Sequence, residues 1–87
     1  MVYAITYDLN KPGQDYPGLF QAIEDCGDTW HYLDSFWLVD TGLNASEVSD
    51  IVKSKVDQSD YFLVIAVTKD YQGWLPRDQW KWIELRI

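Results

Sequence analysis

Asp8 and Asn10 stand two residues apart at the end of the run VYAITYDLN, and their oxygens are the first in the chain suited to a hard cation. Mg²⁺ or Mn²⁺ takes carboxylate and carbonyl oxygens, and a protein commonly supplies only one or two of them. Asp8 is therefore the candidate metal ligand and catalytic centre, with Asn10 on the same side of an extended chain as a candidate binding residue. Local hydrogen bonds that cap the following loop account for the same pair without a ligand. His31 is the only histidine, which rules out a zinc site built on several imidazoles, with Cys26 as the only cysteine. Its ordinary pKa of about 6.5 suits it to proton transfer, so it is a second catalytic candidate; a structural role between Trp30 and Tyr32 is the alternative. Ser35, a third candidate, follows Asp34 without the strand-turn-helix elbow that activates a nucleophilic serine, and bend chemistry explains the pair equally well.

The remaining candidates lie late in the chain. Trp74, Arg77, Trp80 and Lys81, with Lys69, Trp82 and Arg86 nearby, interleave cations and aromatic rings as nucleic-acid and partner surfaces do. Cations whose stems lie along an amphipathic helix packed on a sheet give the same pattern. Trp30 and Trp37 have no Lys or Arg close in sequence and read as core or dimer packing.

Charge weighs on every one of these readings. Fourteen carboxylates against seven Lys and Arg leave a formal net charge of −7, which opposes the counterion release that drives nucleic-acid binding. Three routes to nucleic acid remain: a local basic patch, a cation held by carboxylates, and mimicry of nucleic acid by the acidic surface. A lone cysteine forms no intrachain disulfide, and neither a signal-like segment nor an apolar run near eighteen residues is present. The expectation is a cytoplasmic protein without a membrane span.

The elements that must position these side chains follow from periodicity. With 87 residues, the chain has interior enough for one domain, a core over 1–67 and an extension over 68–87. Aromatic residues make up 16% of it, a surplus that either completes the core or leaves an association patch. Residues 2–8 read as a strand buried on both faces. Turn formers fill 10–18, with Asp15 as an N-cap, and Leu19, Phe20, Ile23 and Cys26 mark a helix over 16–26, ended by Gly27 in a left-handed conformation. Strands are expected at 29–33 and 35–41 across a bend, a helix at 45–56 behind an Asn44–Glu47 capping box, and a buried strand at 61–67 after the DQSD turn. For 77–87 the helical spacing of Trp80, Ile83 and Ile87 is favoured over a strand with Lys81, Ile83, Leu85 and Ile87 alternating. The order β-α-β-β-α-β predicts an α+β, ferredoxin-like sandwich with both helices on one face. The other face is left to a symmetric homodimer or to the C-terminal segment.

Several of these residues also carry a resemblance. Tyr7-Asp8 at the end of the first strand, Gly27 after the helix, His31, Ser35 and Phe36 in the next stretch, and the DxxD of Asp57 and Asp60 resemble the small CRISPR-associated second-subunit family over residues 1–67. That family comprises ferredoxin-like homodimers acting in spacer integration, some described as metal-dependent nucleases; the virulence-associated protein D ribonucleases and the short SinR-like proteins share the outline. The resemblance implies that Asp8 matches the aspartate that two copies bring to the dimer axis around a cation. Trp37 replaces the family's acidic or small residue, His31 stands where a glutamine is usual, and Lys11 is the sole cation before Lys53. The tail WLPRDQWKWI is closer to the SinR-like group. Together these features favour a homodimer that acts by protein or nucleic-acid association, without catalysis and without a required cofactor. The alternatives are a Mg²⁺- or Mn²⁺-dependent endonuclease using Asp8, and an acidic inhibitor that mimics nucleic acid.

Overall fold

The structure is a computed structural model that describes residues 1–10 and 16–87. Strand β1 (Val2–Asp8) lies inside an antiparallel sheet, paired on one side with β3 (Phe36–Asp40) and on the other with β4 (Tyr61–Ala66). Strand β2 (Asp28–Trp30) adds to the far side of β3, giving the order β2-β3-β1-β4. Helix α1 (Tyr16–Glu24) follows β1, α2 (Ala45–Lys53) follows β3, and a 3₁₀ turn at Arg77–Gln79 leads into α3 (Trp80–Arg86). The fold is α+β, and no helix among the described residues is long and apolar enough to cross a membrane.

Alternation along β1 divides the interior. Tyr3, Ile5 and Tyr7, with Trp37 and Val39 of β3, meet Leu19 and Ile23 of α1 and Val48 and Val52 of α2 on one face of the sheet. Each aliphatic side chain buried there contributes roughly 1.5–3 kcal/mol, so this layer supplies most of the driving force. On the outer face Val2 and Ala4, with Trp30 and Leu38, are covered by Ile83 of α3. The C-terminal segment thus takes up part of the face opposite α1 and α2. Helix α2 starts as its sequence predicts: Asn44 Oδ1 accepts from Glu47 N at 2.9 Å, and Asn44 N donates to Glu47 Oε1 at 3.0 Å.

Several boundaries and one burial assignment differ from the sequence reading. Strand β4 is not buried on both faces. Phe62 and Val64 turn to the core, whereas Tyr61, Leu63 and Ile65 are exposed, because β4 is an edge strand and α3 lies over β1, β2 and β3 instead. Strand β2 stops at Trp30 rather than 33, and the chain bends through Ser35, whose φ of 55° is left-handed. Helix α1 ends at Glu24 and α2 at Lys53, each short of its expected end, while the proposed Asp15 cap lies outside the described residues. Gly27 is not in the left-handed region; glycine is needed because a Cβ there would run into the carbonyl oxygen of Asp40. The tail is helical over 80–86 and not a strand.

Candidate functional site

The end of β1 meets the DQSD turn, and here the hydrogen bonds decide what Asn10 does. Its backbone N donates to Asp60 Oδ1 at 2.8 Å, and its side-chain Nδ2 donates to Ser59 O at 2.9 Å and to Asp8 O at 3.5 Å. Asp60 is buried, and its Oδ2 accepts from Asp57 N at 2.9 Å while Asp57 Oδ1 accepts from Ser59 N at 3.1 Å. Asn10 is thus tied into the corner as a structural residue, and the DxxD of the sequence is the anchor that ties it. Asp8 itself is exposed, in register with Tyr61, and borders a shallow groove with Thr6 and Leu63. Among the described residues no three of His, Cys, Asp and Glu gather closely enough to hold a metal. Among the described residues of one chain, Asp8 offers a cation a single carboxylate.

His31 and Ser35 sit on the connection between β2 and β3. The imidazole stacks on Trp37 at 3.9 Å between centroids and 19° between planes, with Phe20 at 5.8 Å. Trp37 Nε1 in turn donates to the Tyr7 hydroxyl at 3.0 Å. Burial pushes the Tyr7 phenol above its ordinary pKa, so the hydroxyl stays neutral and accepts that bond. Partial burial likewise holds the His31 pKa below its usual value, with the carboxylates of Asp34 and Glu24 offsetting part of the effect. His31 as a whole is exposed, and its ring covers one face of the buried Trp37, the place of a packing group. Ser35 is exposed, and its carbonyl accepts from Tyr7 N at 3.2 Å, which closes the bend over the start of β3.

The His31 shift has a measurable consequence. As pH falls, the unfolded chain takes up its proton near 6.5, before the folded chain does, so stability is full above that value and decreases down to the folded pKa. Urea midpoints measured at pH 7.5 and 5.5 are expected to fall for the wild type and to fall less for His31→Gln. Equal slopes would show that the imidazole titrates alike in both states.

In the tail the predicted cluster divides. Trp80 is half-buried and stacks on Tyr71 at 6.2 Å, whereas Trp74, Arg77 and Lys81 are exposed. Arg86 is engaged: it pairs with Asp28, lies 4.6 Å from the Trp82 ring centroid, and holds the Asp28 carboxyl below its usual pKa. Trp82 Nε1 adds a bond to Asp28 Oδ1 at 3.4 Å. The clasp joins the last turn of α3 to the first residue of β2. Residue types alone did not reveal it, because its partners are 58 positions apart.

A feature the sequence reading missed lies under this segment. The outer face of the sheet, α3 and the chain from Val67 to Leu75 line a half-open cavity of about 230 Å³ whose walls carry no charged side chain. The aromatic surplus was its only signal in the sequence.

Fold and sites together define a small α+β domain with a two-helix layer on one face, a C-terminal cover on the other, and one strand left uncovered. Comparison of the chain with family models, with curated proteins and with solved structures finds no significant match.

Proposed function

We propose that this chain is a ferredoxin-like protein of the CRISPR-associated second-subunit and virulence-associated protein D outline, nearest the SinR-like group, that works as a homodimer through association rather than catalysis. The strand order β2-β3-β1-β4, antiparallel throughout, with α1 and α2 on one face, supports the ferredoxin-like class. The observation that carries the dimer is β4. Tyr61, Leu63 and Ile65 are 70%, 54% and 53% exposed on a strand without a single charge. An edge strand with neither Lys nor Pro is the kind that natural proteins protect or pair. The net charge of −7 makes apolar contact the available attraction between copies.

A dimer built on this strip also sets the terms for metal chemistry. Asp8 lies opposite Tyr61 on the same face, so two copies joined there carry both carboxylates along the contact, and Mg²⁺ or Mn²⁺ sharing depends on that dimer forming. For a partner beyond itself, the charge favours a basic protein over nucleic acid, since Arg86 is already paired and the exposed Lys69, Arg77 and Lys81 make a weak basic patch against a net charge of −7.

Light scattering is the test. A species of twice the 10.2 kDa chain mass is expected for the wild type, and the double variant Leu63→Glu, Ile65→Lys is expected to be a folded monomer by circular dichroism. A wild-type monomer at high concentration would overturn the homodimer and the shared metal together.

A further inference from the structure

We propose that the half-open cavity under the C-terminal segment binds a quaternary ammonium group, held by cation–π contact with the aromatic side chains that line it. Trp30 and Phe36 stand on the sheet side, Trp80 on the helix side, and Tyr71 and Trp74 on the chain between. The rings are set at different angles: Trp30 meets Phe36 edge-on at 84° with centroids 6.4 Å apart, and Tyr71 lies within 20° of parallel to Trp80. The face of each ring is negative, so rings on several sides of one space attract a cation placed among them. The walls carry neither a carboxylate nor a Lys or Arg. A primary ammonium such as that of lysine would give up its water there without acceptors in return. A quaternary ammonium has no N–H to satisfy and presents methyl groups to apolar walls. A neutral group of the same shape would also fit, and charge decides between them, because the net −7 draws cations to the molecule. At about 230 Å³ the space falls below the range of roughly 300–1,000 Å³ usual for drug-sized ligands, so it takes one compact head group, and its open side leaves room for whatever bears that group.

The same segment supplies a second observation. Trp82 already holds a cation, the Arg86 guanidinium, 4.6 Å from its ring centroid. Among the described residues no side-chain cation stands over a ring of the cavity, and Trp74 is fully exposed. Ring surface is therefore open there to a cation from outside. No residue of β4 lines the cavity, so the site stands whether or not the chain pairs through that strand.

The test titrates the ¹⁵N-labelled protein with choline and with 3,3-dimethylbutan-1-ol, its uncharged counterpart in which carbon replaces nitrogen. Choline is expected to bind about tenfold tighter. It is also expected to shift the indole N–H resonances of Trp74 and Trp80 while leaving that of Trp37, on the other face, in place. Trp80→Leu is expected to remove most of the preference for choline. Trp74→Leu, a change at a fully exposed position, is expected to reduce it about threefold with the fold intact, and gives the reading if Trp80→Leu does not fold. Equal affinity for the two probes, shifts centred away from Trp74 and Trp80, or an unchanged preference in Trp74→Leu would overturn the proposal. A trimethyl-lysine peptide and its unmethylated form distinguish the sources of the group. Tighter binding of the methylated peptide than of choline assigns the group to a modified protein, and the reverse order assigns it to a free small molecule. Tighter binding of the unmethylated peptide would overturn the proposal as well.

Discussion

Gly27→Ala is expected to cost about 3 kcal/mol of folding stability, the upper range for forcing an atom into packed surroundings. The new Cβ meets the carbonyl oxygen of Asp40, with the Asp40 carbonyl carbon at 3.2 Å and Thr41 Cβ at 3.3 Å behind it. Two of the three obstacles are backbone, so no side chain can swing aside. Relief requires β2 and β3 to separate where Asp28 pairs with Asp40. It would also disturb the buried Thr41, whose hydroxyl donates to Cys26 O at 2.7 Å and accepts from Leu43 N at 3.1 Å. Gly42→Ala is the control, because a Cβ there meets nothing within 4 Å. Urea denaturation of the two variants is expected to give a large loss for the first and a change within about 0.5 kcal/mol for the second.

Asp60→Ala is expected to cost about 2–3 kcal/mol. The Asp60 carboxylate accepts from two backbone N–H groups, those of Asn10 and Asp57, in a position only 7% exposed. Hydrogen bonds to a charged group contribute about 1.5–3 kcal/mol, and alanine leaves both donors without an acceptor. Asp60→Asn keeps one accepting oxygen and is expected to fall between. Hydrogen exchange locates the effect: the amides of Asn10 and Asp57 are expected to lose protection in Asp60→Ala before those of β3 do. Equal loss across the sheet would mean that the corner is not a separate unit.

The parts of this fold that sequence made legible are those in which one residue's type answers a local demand. Asn44 and Glu47 cap α2 through bonds three residues apart, and β1 is interior on both sides over most of its length, as its predominance of β-branched and aromatic residues requires. β4 reads the same way for a different reason. An apolar run records what a strand can be packed against, not whether anything is there, so YFLVIAV gave no sign that one side would be open. The expected site followed the same division. Oxygen chemistry points to Asp8 and Asn10, but Asn10 is held by Asp60 and Ser59, fifty and forty-nine residues away. Gly27 after a helix suggests backbone freedom, whereas its reason is the closeness of another strand. The cavity beside Trp30 exists only because the tail crosses the sheet, a relation that no window of the sequence contains.

The two margins of the sheet are unequal, and this bears on how far any assembly of the chain can grow. One margin is β2, three residues long and clasped to α3 through Asp28 and Arg86; the other is β4, six residues long and bare. A filament needs each molecule to offer two receptive ends, one to take the previous molecule and one to hold the next. Here a receptive end can be answered only by its own likeness. If copies join through β4, addition stops at a closed pair, and so apolar a margin is then spent without seeding fibres.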